Sequence, residues 1–150
     1  MPIKKRGGIH KIPYRTTDGI KHHSKSEFKV LKGLRDKGIV AGYESERIEY
    51  IRPAAKVHFV PDICLDNGIY LEVKGFWLSA DRQKILEVKK CNPELDLRMV
   101  LDTPYTPINK GSKTTYADFC DKHGIKWCKT SEIPPEWLAG CSIDPFLIAK

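Results

Sequence analysis

Apolar and polar positions alternate most clearly over residues 61–74, Pro-Asp-Ile-Cys-Leu-Asp-Asn-Gly-Ile-Tyr-Leu-Glu-Val-Lys. Two short period-2 runs flank Asp66-Asn67-Gly68, a turn signal, so the stretch reads as a β-hairpin. A two-residue loop would pair Asp62 with Val73 and mix apolar and charged side chains on both faces. A three-residue loop, closed by Gly68 in the left-handed conformation, instead sets Asp62 opposite Glu72. Ile63, Leu65, Ile69, Leu71 and Val73 then share one face, and Asp62, Cys64, Tyr70, Glu72 and Lys74 share the other. The second register is expected, because a core selects the clean apolar face.

The same reading extends along the chain. Residues 1–23 show no sustained period. Ser24-Lys-Ser-Glu27 fits a capping box, Phe28, Leu31 and Leu34 follow at helical spacing, and Gly38 supplies a stop, predicting a helix over 24–37. Residues 39–52 alternate in their second half, Pro53-Ala54-Ala55 interrupts them, and extended structure resumes over 57–60. After Gly75-Phe76-Trp77, Ser79 is expected to cap a helix reaching Cys91, with Ile85, Leu86 and Val88 inward. Residues 97–101 are apolar and read as an inner strand. Thr115-Tyr-Ala-Asp118 opens a further helix that Gly124 closes, 125–127 reads as an edge strand, and Pro134-Pro135-Glu-Trp137 starts a short helix. Helix, strand, hairpin, helix, strand, helix, strand makes an α/β fold: a mixed sheet with helices packed on it.

Composition adds a partner class. The 150 residues suit one domain. A formal charge of +7 and a pI near 9.1 favour an anionic partner. Lys4, Lys5, Arg6, Arg15, Lys21 and Lys25 gather in the first 25 residues against Asp18 as the sole acid, a basic arm of the kind that tracks phosphates or simply solubilises. Lys110, Lys113, Thr114 and neighbouring backbone donors precede the helix at Thr115, a second place that favours phosphate. Five cysteines form no Cys-x-x-Cys pair, and no signal peptide or membrane-spanning apolar run is visible; reduced thiols in a cytoplasmic protein with no membrane partner are expected. Cys120, His123 and Cys128 would make a zinc site only with a fourth ligand.

The hairpin carries the chemistry. Opposed side chains have β-carbons about 4.5–5.5 Å apart, and two carboxylates that close repel unless a proton or cation lies between them. Paired hard oxygens suit Mg²⁺ or Mn²⁺, and Lys74 beside them suits an attacking water or a phosphate. Pro61-Asp62, nine residues, then Glu72-x-Lys74 is the pattern of the PD-(D/E)xK nucleases. There Asp62, Glu72 and the backbone carbonyl of Val73 would hold one or two divalent ions. On spacing alone Glu27 is a helix cap. The residues leave open another PD-(D/E)xK endonuclease, restriction- or repair-like, and a non-catalytic basic DNA-binding protein.

Further stretches carry a closer likeness: Ser24-x-x-Glu27, Pro53-Ala54, Asn67-Gly68-Ile69, Glu72-x-Lys74-Gly75, Asp81-Arg82-x-Lys84, Asn92-Pro-Glu-Leu-Asp96, Lys110-Gly111-Ser112, Phe119-Cys-x-Lys-His-Gly-Ile125 and Pro135-Glu-Trp137. From 24 to 138 the chain resembles the junction-resolving endonuclease I family of T-odd bacteriophages. The resemblance implies a restriction-endonuclease-like core and metal-dependent cleavage of four-way (Holliday) and other branched DNA, leaving 5′-phosphates. It places the family's catalytic residues on Glu27, Asp62, Glu72 and Lys74, which adds Glu27 to the metal site. It also implies an intertwined homodimer. A swapped part, 24–50, a bridge at about 51–56 and a metal-binding core, 57–138, would then lie between a basic arm, 1–23, and a tail, 139–150. Two departures stand out: the arm is longer and carries His22-His23, and the tail ends in Phe-Leu-Ile-Ala-Lys rather than a basic run.

Overall fold

The computed structural model describes residues 14–15, 21–22, 24–52 and 55–148, with side chains left undescribed at 14, 15, 21, 22, 52 and 55. Strands β1 (Tyr14–Arg15) and β2 (Lys21–His22) form a two-residue antiparallel ladder ahead of helix α1 (Lys25–Asp36). Strand β3 (Ala41–Tyr43) precedes a ribbon of β4 (Ile48–Arg52) and β5 (Ala55–Phe59). The hairpin β6 (Ile63–Leu65) and β7 (Ile69–Lys74) leads to α2 (Ser79–Cys91), β8 (Asp96–Leu101), α3 (Tyr116–Lys122) and β9 (Trp127–Lys129). A 3-10 turn (Pro135–Trp137) and α4 (Pro145–Ile148) follow.

Strands β3, β6, β7, β8 and β9 make one mixed sheet in that order. The β3–β6 and β6–β7 pairs are antiparallel, and β7–β8 and β8–β9 are parallel. The parallel pairs require crossovers, which α2 and α3 supply. The expected mixed α/β architecture is therefore the one found.

Alternation along the strands divides the core into two layers. Ile63, Leu65, Ile69, Leu71 and Val73 pack with Val30, Leu31 and Leu34 of α1 on one side. Leu97, Met99 and Leu101 pack with Ile85 and Val88 of α2, Tyr116 and Cys120 of α3, and Tyr50 and Phe59 of the ribbon on the other. Full burial of each such side chain is worth about 1.5–3 kcal/mol, so the two layers hold α1 and α2 against opposite faces.

Several details differ from expectation. Ser79 is the first residue of α2 rather than its cap; Leu78 occupies the N-cap without a side-chain hydrogen bond. The edge strand begins at Trp127 rather than Ile125, because Ile125 closes α3, its N–H donating to the Cys120 carbonyl at 2.8 Å. Strand β3 and helix α4 were not legible in the pattern. Cys120 and Cys128 lie in different core layers, and burial pushes both thiols up to about 12, so the zinc grouping with His123 does not form. All five cysteines are free thiols. Among the described residues no helix is long and apolar enough to cross a membrane.

Candidate active site

The β6–β7 hairpin takes the three-residue register. Ile63 pairs with Leu71 and Cys64 with Tyr70, and Gly68 sits at φ +91°, where a side chain would be strained. One step beyond the Ile63–Leu71 pair, away from the turn, Asp62 and Glu72 lie side by side. The Asp62 N–H donates to Glu72 Oε1 at 3.3 Å, and the Val73 N–H donates to Asp62 Oδ2 at 2.8 Å. Lys74 Nζ lies 3.5 Å from Glu72 Oε2.

Helix α1 delivers another carboxylate from the far side. Ser24 accepts from the Glu27 N–H at 3.2 Å, so half of the expected capping box is present. The Glu27 side chain turns inward instead, is 3% exposed, and accepts from the Tyr43 hydroxyl at 3.1 Å. Ser26, beside it, donates to Asp102, whose other oxygen accepts from Thr130 at 2.7 Å; this pins the start of α1 to the ends of β8 and β9.

Glu44 joins the group without having been anticipated. One carboxylate oxygen each from Glu27, Glu44 and Asp62 lie within 4.8 Å of one another. Glu44 has φ +47°, uncommon outside glycine, and its N–H donates to the Asp62 carbonyl at 3.0 Å. Its spacing to the other acids carries no signal, because β3 reaches Asp62 only through sheet pairing.

Burial, then the charges of Glu72 and Glu27, push the Asp62 carboxyl up to about 10. Burial raises Glu72 as well, against the attraction of Lys74. Burial opposes charge on Lys74, but Glu72, Asp81 and Asp62 outweigh it and hold the ammonium above the usual lysine range. Lys74 is thus a cation at neutral pH, in a site with an excess of negative charge. Clustered hard oxygens at this separation match Mg²⁺ or Mn²⁺ in donor type, and a divalent cation would relieve their repulsion.

The basic candidates are more dispersed. Lys25 is exposed at the first turn of α1, two positions from Glu27. Lys110 and Lys113 are exposed on the loop leaving β8, and Thr114 is half-buried there. The N-terminal donors of α3 are engaged: Thr115 Oγ1 accepts from the Asp118 N–H and Asp118 Oδ2 from the Thr115 N–H, while the Tyr116 and Ala117 N–H groups donate to the Thr106 and Pro104 carbonyls at 3.0 and 2.8 Å. Lys4, Lys5 and Arg6 lie outside the described residues, as do the side chains of Arg15 and Lys21.

Comparison with known proteins bears on this geometry. A family profile described as Phage endonuclease I matches residues 11–145. Endonuclease I of Escherichia phage T7 is 46% identical over 112 residues, covering 75% of this chain and 74% of that protein. Endodeoxyribonuclease 1 of Enterobacteria phage T3 is 44% identical over 111 residues, covering 74% of this chain and 73% of that protein.

Proposed function

The chain belongs to the phage endonuclease I family, and from that premise we propose that it is a dimeric PD-(D/E)xK endonuclease, dependent on Mg²⁺ or Mn²⁺, that resolves four-way and other branched DNA. The observation that carries this reading is the convergence of Glu27, from α1, on Asp62, which the hairpin sets beside Glu72 and Lys74.

Asp62, Glu72 and the Val73 carbonyl, with Glu27, would hold one or two ions, which supply Lewis-acid polarisation of the phosphate and a more acidic water. Lys74, being charged, binds a phosphate oxygen and opposes the negative charge that builds on the phosphorane; it orients water rather than taking its proton. Water oxygen bonds to phosphorus, the P–O3′ bond breaks, and a 5′-phosphate and a 3′-hydroxyl are left. Tyr43 fixes the Glu27 carboxylate by its hydroxyl.

The chemistry of the ribbon supports the swapped dimer. Pairing from Ile48↔Phe59 to Arg52↔Ala55 leaves only Pro53 and Ala54 to turn the chain. Tight two-residue hairpins need positive φ at their first loop position, which proline's ring forbids. A strand running straight through 48–59 and pairing with its two-fold mate keeps the same partners without that turn. It would also give the bridge at 51–56 its role, passing residues 24–50 to the partner, so that Glu27 and Asp62 of one site come from different chains. Two sites related by a two-fold axis suit paired nicks in a symmetric junction.

The test is cleavage of a four-way junction and of linear duplex of equal length, in Mg²⁺, Ca²⁺ and EDTA. Junction-selective nicking in Mg²⁺ alone is expected; equal cutting of both substrates would remove the resolvase reading and leave a nuclease. Glu72→Gln should abolish cleavage while junction binding persists.

A further inference from the structure

Residues 138–148, which the proposed chemistry does not use, run as a strap between the two elements that carry the site, the hairpin and α1. At one end the strap is tied to the hairpin turn. Asn67 Nδ2 donates to the carbonyls of Trp137 and Ala139, both at 2.9 Å, and the Asp66 carboxylate accepts from the Ser142 N–H at 3.0 and 3.2 Å. These bonds to Ser142 hold the Asp66 carboxyl below its usual range.

The strap's other end grips the exit of α1. The Val40 N–H donates to the Ser142 carbonyl at 3.3 Å, the Asp144 N–H donates to the Gly38 carbonyl at 2.8 Å, and Ile39 and Ile143 form an antiparallel bridge. Gly38, at φ +71°, lets α4 approach: a Cβ there would lie 2.9 Å from Ile148 Cδ1 and 3.1 Å from Ile143 Cγ2. Leu138 and Cys141 add apolar contact to the layer that buries α1.

We infer that residues 138–148 are an intersubunit clasp, an interaction surface for residues 38–40 of a second copy of this chain. The inference rests on the swapped-dimer reading. The strap, Asp66 and Asn67 all lie beyond the proposed bridge at 51–56 and stay with the metal-binding core, whereas residues 38–40 lie before it and leave with α1. Every contact at the second end of the strap then crosses between subunits. A 12-residue helix is about 18 Å long, so holding its exit fixes the angle at which its entry presents Glu27.

Bridged antiparallel residues have Cα atoms about 4.5–5.5 Å apart, within disulfide range. Ile39→Cys/Ile143→Cys, oxidised with oxidised glutathione and checked for native circular dichroism, should give a covalent dimer on a non-reducing gel, absent from either single variant. A disulfide within one chain, or no disulfide, overturns the clasp. Asp66→Ala and a chain ending at Leu138 keep the test independent of the new thiols. Exchange of fluorescently labelled subunits should speed up at least tenfold in both, and an unchanged rate overturns the clasp. Mixing Glu27→Ala chains with Glu72→Ala chains separates the two readings. Recovered nicking with no intersubunit disulfide removes the clasp alone, whereas no recovery in a confirmed heterodimer, or a monomeric wild type, removes the swap and the clasp together.

Discussion

Asp62→Asn should make the metal-free protein more stable at neutral pH while destroying its nuclease activity. The Asp62 carboxyl, crowded by burial, Glu72 and Glu27, ionises near 10 in the folded chain against 3.8 for the ordinary group. Between these values the folded state holds a proton that the unfolded state releases. Stability therefore falls as pH rises, by up to about 1.36 kcal/mol per pH unit. At pH 7 the ceiling on this penalty is about 4 kcal/mol, and relaxation of the site brings the expected gain from asparagine to roughly 2–4 kcal/mol. The amide oxygen still accepts from the Val73 N–H, so the replacement loses little. For a domain of this size the gain corresponds to a rise of about 5–12 °C in Tm. Thermal melts in EDTA from pH 4 to pH 8 would measure it: the two proteins should nearly coincide at pH 4 and diverge as pH rises. Saturating Mg²⁺ should then stabilise the wild type, by about 2.7 kcal/mol at a hundred times Kd, and leave Asp62→Asn nearly unmoved. Parallel pH profiles in EDTA, or a variant less stable than wild type at pH 7, would refute the account of Asp62 as a carboxylate awaiting a cation.

Three further outcomes follow from the same geometry. A heterodimer of Glu27→Ala and Glu72→Ala chains should nick one strand of a junction without the paired cut, because one composite site carries both lesions and the other neither; product analysis on a denaturing gel reads this. Lys74→Met should slow cleavage by about 10²–10³-fold in single-turnover kinetics at saturating Mg²⁺ with junction affinity little changed, since its charge acts on the phosphorane; a loss confined to affinity would contradict that role. Gly68→Ala has open space around the new methyl group but must adopt φ +91°, so about 1–2 kcal/mol of stability should be lost in denaturant titration, with the hairpin register kept.

Local periodicity was enough for the hairpin. Its register, its apolar face, the left-handed Gly68 and the placement of Asp62 against Glu72 all follow from a period of two and a three-residue turn. The start of α1 and the closure of α3 at Gly124 were legible for a similar reason: capping joins residues three or four apart. The pairing of the ribbon, β3 and the docking of residues 138–148 were not. Each joins segments whose own alternation is short or interrupted, so nothing within either segment names its partner.

The two capping boxes show where sequence ends and tertiary structure begins. Ser24 with Glu27 and Thr115 with Asp118 have the same spacing and compatible residue types, and sequence alone treats them alike. Asp118 is exposed, and its carboxylate closes the box on the Thr115 N–H. Glu27 starts a helix whose neighbouring turns bury Val30, Leu31 and Leu34 against the sheet, and that burial carries its side chain to the Tyr43 hydroxyl and the Asp62 carboxylate. The amino-acid sequence thus determined that a glutamate would stand at the third position of α1. Packing of that helix on the hairpin turned it from its own backbone toward the site, because a helix end has a competing use for its carboxylate only when the fold brings other donors and acids within reach.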